Sequence, residues 1–378
     1  MQRRHEFGFG LETEYMLVDR DFEPQWIQTL NAERLFDLID SISNADCSTD
    51  GFNQKPLHKR AGHYLIEGYT LTDDQYNARE ILPKGIEIRT PKVDSFERCI
   101  DDLNLLRARL DERLQSEGLQ TAVLSHHPTE LELQAPPNYA RYDYWQWALT
   151  ATATYGPDFN ISVPDSILNR IDRRRLNGRI NYYMPALIGL SVDSPLKNGR
   201  LWEAGDKVGK SLRTFRRRLY APLYYVHDRA GTWFEFKGFE MSRAPEDFCA
   251  YFLLSLTLLL DDGLTGEASD EDALNDLGFI AVDGIAGDTV RERIKTVIEH
   301  ADQLADQLGF ASHWLDRLHA RVESNTVPAD EIIAIFETTG SVPETLKKLN
   351  SAATAGSNQR AQASAAGGEI KASPALCR

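Results

Sequence analysis

The chain is poor in cysteine, and the little it has follows no pairing pattern. Cys47, Cys99, Cys249 and Cys377 show neither metal-site spacing nor a disulfide framework. Long apolar runs are also missing. The longest, Phe248 to Leu260, is too short to cross a bilayer and reads as a buried helix. No apolar leader follows Met1-Gln-Arg-Arg, and strand-like sequence begins at once. Basic excess is absent: 42 Lys and Arg stand against 57 Asp and Glu, a net charge of -15, which argues against a general nucleic-acid binder. Phosphate-cradling glycine loops are lacking too. There is no G-x-x-x-x-G-K-[ST], and the Gly8/Gly10 pair does not complete the dinucleotide fingerprint. The expectation is a cytoplasmic protein with neither a membrane nor a nucleic acid as partner.

What is present is ordinary in bulk. The 378 residues are 42% hydrophobic and 26% charged, as in a soluble globular protein of one large domain or two ordinary ones. Asp94-Ser-Phe-Glu97 reads as a helix start, followed by Phe96, Ile100, Leu103, Leu106, Leu110 and Leu114 at helical spacing, with Gly118 as the stop. Ala122 to Leu124 reads as a short strand, and Tyr142 to Ala153 as a further helix. Pro245 opens the buried helix that ends at Asp261-Asp262-Gly263. From about Asp288 the pattern is helical, with a stripe of Val290, Ile294, Ile298, Leu304 and Leu308, and Thr326-Val-Pro328 caps a helix through Phe336. Strands and helices arrive in mixed order, which predicts an α+β fold: a curved antiparallel sheet with helices on one face. One catalytic unit is expected over residues 1–349. The Ala, Ser, Gly and Gln of 350–378 predict a disordered tail.

Four segments alternate cleanly between apolar and polar residues. They are Gly10 to Asp19 with Glu12 and Glu14, Gly85 to Pro91 with Glu87 and Arg89, Gly156 to Val163 with Asp158, Asn160 and Ser162, and Thr232 to Lys237 with Glu235 and Lys237. A half-buried sheet facing solvent would alternate as well. Asp, Asn and Glu are depleted in strands, however, and here they fill such positions four times over. Like charges on one strand face repel unless a cation sits among them. A face this rich in oxygen donors suits Mg²⁺ and a polyphosphate, with Arg89 and Lys237 to neutralise charge in phosphoryl transfer.

These segments resemble, in order, the motifs of the carboxylate–amine ligases related to the second type of glutamate–cysteine ligase. Gly10 to Asp19 is similar to the family's G-[IL]-E-x-E-[FY]-x-L-V-D strand, and Glu87-Ile-Arg-Thr-Pro91 to its E-x-[RA]-T-[PG], with Glu80 as the upstream acid. His127-Pro128, Arg141-Tyr142, Leu190 to Pro195 with Gly199-Arg200, and Gly231 to Lys237 resemble its later segments, so the resemblance runs from about residue 7 to about 340. It implies a glutamine-synthetase-like fold and an ATP- and Mg²⁺-dependent reaction. A carboxylate, such as the γ-carboxylate of glutamate, is activated as an acyl phosphate and attacked by an amine. Carried onto this chain, Glu12, Glu14, Glu80, Glu87 and Glu235 are the metal ligands implied. Glu87, Arg89, Asp158 and Arg200 are implied in catalysis, and Asn160, Arg213 and Lys237 in holding ATP.

There are departures. Asp158 and Asn160 stand where the family has histidines, Ser162 replaces a glycine, Lys237 stands where Arg is usual, and Asp193 replaces the Asn of N-S-P. Asn160 keeps hydrogen bonding and loses proton transfer, and Lys237 keeps a point charge and loses the bidentate fork. These changes leave room for a weakened relative that binds nucleotide or a protein, or for an enzyme that phosphorylates an acceptor without forming an amide. A homodimer through an open sheet edge is a further expectation. Of the other polar clusters, His126 and His127 read as turn residues. Arg173 to Arg175 with Arg179, and Arg216 to Arg218, read as solvated helix faces, with Lys207, Lys210 and Arg213 as a candidate phosphate-grasping loop. Tyr139, Tyr142, Tyr144, Trp145 and Trp147 read as core packing, and Cys249 as inert.

Overall fold

The computed structural model describes residues 6–44, 47–129, 153–216, 221–228 and 231–351. In chain order the elements are β1 (Gly8–Asp19), α1 (Ala32–Asp40), β2 (Tyr64–Thr72), β3 (Ala78–Arg89), α2 (Phe96–Gln115), β4 (Leu119–Ala122), β5 (Pro157–Ser162), α3 (Asp165–Leu168) and α4 (Arg173–Gly189). Four two-residue strands follow, β6 (Leu196–Lys197), β7 (Arg200–Leu201), β8 (Glu203–Ala204) and β9 (Lys207–Val208), forming two small hairpins. Then come α5 (Leu212–Arg216), β10 (Leu223–Asp228), β11 (Gly231–Phe236), α6 (Glu246–Leu260), α7 (Asp270–Asp283), α8 (Asp288–Leu308), α9 (Asp316–Ser324) and α10 (Pro328–Thr339).

The main sheet runs β10-β11-β5-β1-β3-β2, with β4 paired to the far end of β1, and every pairing is antiparallel. One face is apolar because the alternation of each strand makes it so: Phe9, Leu11, Tyr15, Ile86, Ile88, Phe159, Ile161, Phe234 and Phe236 are all buried. Helices α2 and α6 cover it. The Phe9 ring meets Phe96 and Phe252 edge-on at 5.6 Å each, and Phe159 meets Phe252 at 4.8 Å. α2 starts as its sequence says, with the Ser95 hydroxyl accepting the Arg98 N–H, and buries its stripe from Phe96 to Leu114. α6 is buried nearly all round, hence its lack of polar periodicity. Buried apolar side chains from Phe7 to Leu349 belong to one core, beside a small cluster of Trp202, Leu212 and Ala281.

Several expectations shift. The short strand lies at Leu119–Ala122, because β1 offers partners only from Met16 to Asp19. Val123 and Leu124 are buried but unpaired as they lead into His126. Helices α1 and α7 had no clear sequence signal, and α10 runs three residues past Phe336. A last helix covers 342–351, two residues beyond the expected boundary. The expected helix from Tyr142, Arg141-Tyr142, the aromatic cluster Tyr139 to Trp147, Arg217, Arg218 and the tail beyond 351 lie outside the described residues. Among the described residues no helix is long and apolar enough to cross a membrane.

Candidate functional site

The sheet order sets the four motif strands side by side as β11, β5, β1 and β3. Glu12 lies opposite Asp158 on one side and Arg89 on the other, Glu14 opposite Glu87, and Asn160 opposite Gly10 and Glu235. Residues directly opposite in a ladder share a face. All seven therefore stand on the side of the sheet turned away from α2 and α6. Gly8 and Gly10 carry no side chain on that side. Lys92 lies across Gly8, where a Cβ would overlap its side chain, and the nearest atom facing a Cβ at Gly10 is Asn160 Cβ at 3.6 Å.

Two groups of carboxylates form on this face. In the first, ligand oxygens of Glu12, Asp158 and Glu235 all lie within 4.8 Å of one another, half-buried. Lys237 reaches in from just beyond β11, its Nζ contacting Asp158 Oδ2 and lying 2.8 Å from Glu235 Oε1. Burial pushes the Asp158 carboxyl up to about 7, against the pull of Lys237 and with Glu14, Glu12 and Glu235 adding to the rise. Three converging hard oxygens are a donor set that Mg²⁺ accepts, with water and phosphate completing the shell.

The second group is Glu14, Glu67 and Glu87. Lys84 sits between the first two, with Nζ 3.0 Å from Glu14 Oε2 and 3.3 Å from Glu67 Oε1, donating also to the Thr154 carbonyl and lying 5.0 Å from the Tyr155 ring centre. Burial alone would lower Lys84, but Glu14 and Glu67 more than reverse it and its pKa is raised. Burial lifts Glu87 well above the usual carboxylate range, with Glu12, Glu67 and Glu14 pushing the same way. Glu67 is raised as well, by burial and then by Glu14. The sequence reading missed Glu67 and Lys84. By alternation from Ile86 and Ile88, Lys84 should face the core. The register shifts there, with Glu67 opposite Gly85 and Gly68 opposite Pro83, so Lys84 is the bulged residue.

Four further expected site residues lie outside the two carboxylate groups. Glu80 is exposed, opposite Leu71 and beyond the bulge, in neither carboxylate group. Arg200 is exposed on β7 of a small hairpin, away from the pairing of the main sheet. Arg213 is buried, donating to the carbonyls of Gly238 at 3.0 Å and Lys237 at 3.4 Å, so it holds the chain that carries Lys237. Arg89 shares the face but is buried at its edge. It donates to the Gly62 carbonyl at 2.8 Å and lies over the Phe52 ring, clamping the segment before β2. The histidines are buried: His126 Nε2 lies 2.9 Å from Arg216 Nη1, and His127 packs on Trp26. Burial and Arg216 hold His126 well below the usual range, so its ring is a neutral acceptor for that guanidinium.

Behind the first group lies a dry polar knot that the sequence did not announce. Glu240, fully buried, accepts from the Asp193 N–H at 2.8 Å, the Ser194 hydroxyl at 2.9 Å, the Thr214 hydroxyl at 2.7 Å and the Ser211 hydroxyl. Asp193 is equally buried and accepts from the Ser125 N–H at 3.1 Å. Burial and then Glu240 push its carboxyl well above the usual range. The knot ties α5, and with it Arg213, to the segment that follows Lys237.

The description glutamate-cysteine ligase family 2 (GCS2) matches residues 8–245, which include every motif strand. The chain is 28% identical over 199 residues to a candidate glutamate–cysteine ligase 2 of Ruegeria pomeroyi, covering 51% of this chain and 42% of that one. It is 24% identical over 236 residues to a glutamate–cysteine ligase of Natronomonas pharaonis, covering 55% of this chain and 59% of that one. The matched regions thus span about half the length of these curated relatives. In three dimensions it is similar to the glutamate–cysteine ligase of Francisella tularensis solved in complex with AMP. The TM-score is 0.60 at 11% identity, over 93% of this chain and 89% of that chain, a likeness of fold.

Proposed function

Because the chain belongs to glutamate–cysteine ligase family 2, we propose that it is a carboxylate–amine ligase driven by ATP, working on the polar face of the sheet. The observation that carries this reading is the convergence of Glu12, Asp158 and Glu235 on a face shared by four neighbouring motif strands. In such a reaction a carboxylate oxygen takes the γ-phosphoryl group and ADP leaves. The amine nitrogen then attacks the acyl carbon, phosphate leaves, and the nitrogen gives up a proton. Glu12, Asp158 and Glu235 would hold a magnesium ion, which when bound supplies neutralisation of the phosphate oxygens. Lys237, already within reach of Asp158 and Glu235, offers an ammonium to a phosphate oxygen, and Asn160 beside it a neutral amide. Arg216, aimed by neutral His126, is a further cation for an anionic substrate group. Small-molecule carboxylate and amine are the partners, with the γ-carboxylate of glutamate the first to try.

The test is ADP release in the presence of Mg²⁺ with a panel of carboxylates and amines. ADP should form only when both are supplied, and Glu12→Gln should lower turnover about 100-fold or more with an unchanged unfolding temperature. Full turnover in Glu12→Gln would refute the assignment. A second reading is favoured by one observation: Lys237 already pairs with Asp158 and Glu235, so the group is partly compensated without an ion. On that reading the chain binds nucleotide or a protein without turnover. ADP formation that requires both substrates excludes it.

A further inference from the structure

The two carboxylate groups each contain a lysine, but they are built differently. In the first, the oxygens of Glu12, Asp158 and Glu235 converge on one another, and Lys237 reaches in from beyond the end of its strand. In the second, Lys84 lies between Glu14 and Glu67, with Glu87 beside Glu67, and among the described residues these three carboxylates do not converge to metal-ligand distances. An ammonium has three N–H donors and no more. Lys84 meets three acceptors: Glu14 Oε2 at 3.0 Å, Glu67 Oε1 at 3.3 Å and the Thr154 carbonyl. The two carboxylate separations are the wider ones of an ammonium, against about 2.1 Å for oxygen on Mg²⁺. The side chain is also fixed. Lys84 is 4% exposed, sits at the bulge between Pro83 and Gly85, and lies beside the Tyr155 ring, whose hydroxyl donates to the Lys84 carbonyl at 2.8 Å.

We infer that Lys84 is a resident cation: its ammonium stands where Glu14, Glu67 and Glu87 would otherwise gather a divalent ion. The face therefore takes one divalent ion, not two. The count of one rests on the proposed assignment of Glu12, Asp158 and Glu235 as ligands, whereas the role of Lys84 does not. Three acidic side chains gathered in a half-dry site must keep protons or hold a cation among them. A built-in ammonium supplies that charge at any metal concentration.

Counting bound Mn²⁺ tests this, by calorimetry and by the resonance signal of the free ion, on wild type and Lys84→Met, each with and without Glu12→Gln. Wild type should bind one ion per chain, lost in Glu12→Gln. Lys84→Met should bind one more than its parent, and that added ion should survive Glu12→Gln and disappear with Glu67→Gln. An unchanged count in Lys84→Met overturns the inference. So does a wild type that binds two ions and loses the second in Glu67→Gln, a result readable even if Lys84→Met does not fold. A wild type that binds none while Lys84→Met binds one sinks the ligand assignment and upholds the resident lysine.

Discussion

Asp193 and Glu240 meet in the dry interior, and two ionised carboxylates there are costly. Burial and Glu240 raise Asp193, while the Ser125 N–H and, more weakly, Arg243 pull it down. Unfolded, Asp193 ionises near the ordinary 3.8; folded, it keeps its proton to higher pH. The folded state therefore holds more protons in that window, and stability from this group falls as pH rises above the unfolded value. Asp193→Asn keeps an acceptor for Ser125 and offers N–H donors to Glu240, with nothing to ionise. Its gain in unfolding temperature over wild type should be small near pH 4 and grow toward pH 8. Parallel curves for the two proteins would show that Asp193 ionises normally. At this scale the sequence was partly legible. Glu12, Asp158, Glu235 and Lys237 were visible because strand alternation puts them on one face. The roles of Arg89 and Arg213 were not legible, because a basic residue in a motif does not disclose that backbone carbonyls receive its N–H groups.

Strand β3 carries the second group only because it is bulged at Lys84 and because its neighbours approach closely. A Cβ on Gly85 would overlap the Tyr15 carbonyl oxygen of β1 and come within 3.2 Å of the Tyr155 ring. Both neighbours are buried, so the strands must part. Gly85→Ala should cost about 1–3 kcal/mol and disturb Lys84 and Glu14 with it. Ser95→Ala, which removes only the N-cap of α2, should cost about 1 kcal/mol and leave the face intact. Urea unfolding of both variants checks this, and equal small losses would show that the Gly85 contact relaxes freely. Elements with strong periodicity, such as α2 and α6, could be read from the sequence. The bulge could not, since alternation counts residues and cannot see one left unpaired.

The whole molecule depends on a sheet whose order the sequence does not state. Motifs near residues 12, 87, 158 and 235 become neighbours only through the order β11-β5-β1-β3; strand alternation pointed to a shared polar face, but not to which strands adjoin. The C-terminal helices are fastened to the sheet layer through Asp247 at the start of α6. It is fully enclosed and paired with Arg317 at 2.7 Å and Arg321 at 2.5 Å on α9. Burial would raise Asp247, but the two guanidiniums hold it below the usual range. Asp247→Asn leaves enclosed Arg321 uncompensated and should cost about 3 kcal/mol in urea unfolding, whereas loss of half-exposed Arg317 should cost less. Equal costs would contradict the view that α6 and α9 are locked through this buried carboxylate.

The central claim, that the polar face binds a metal–nucleotide pair through Glu12, Asp158 and Glu235, is tested most directly by calorimetric titration of ATP with and without Mg²⁺ on wild type and Glu12→Gln. The account predicts binding that requires Mg²⁺ and is lost in Glu12→Gln. Binding that is indifferent to Mg²⁺ or to Glu12, or no binding at all, would contradict it.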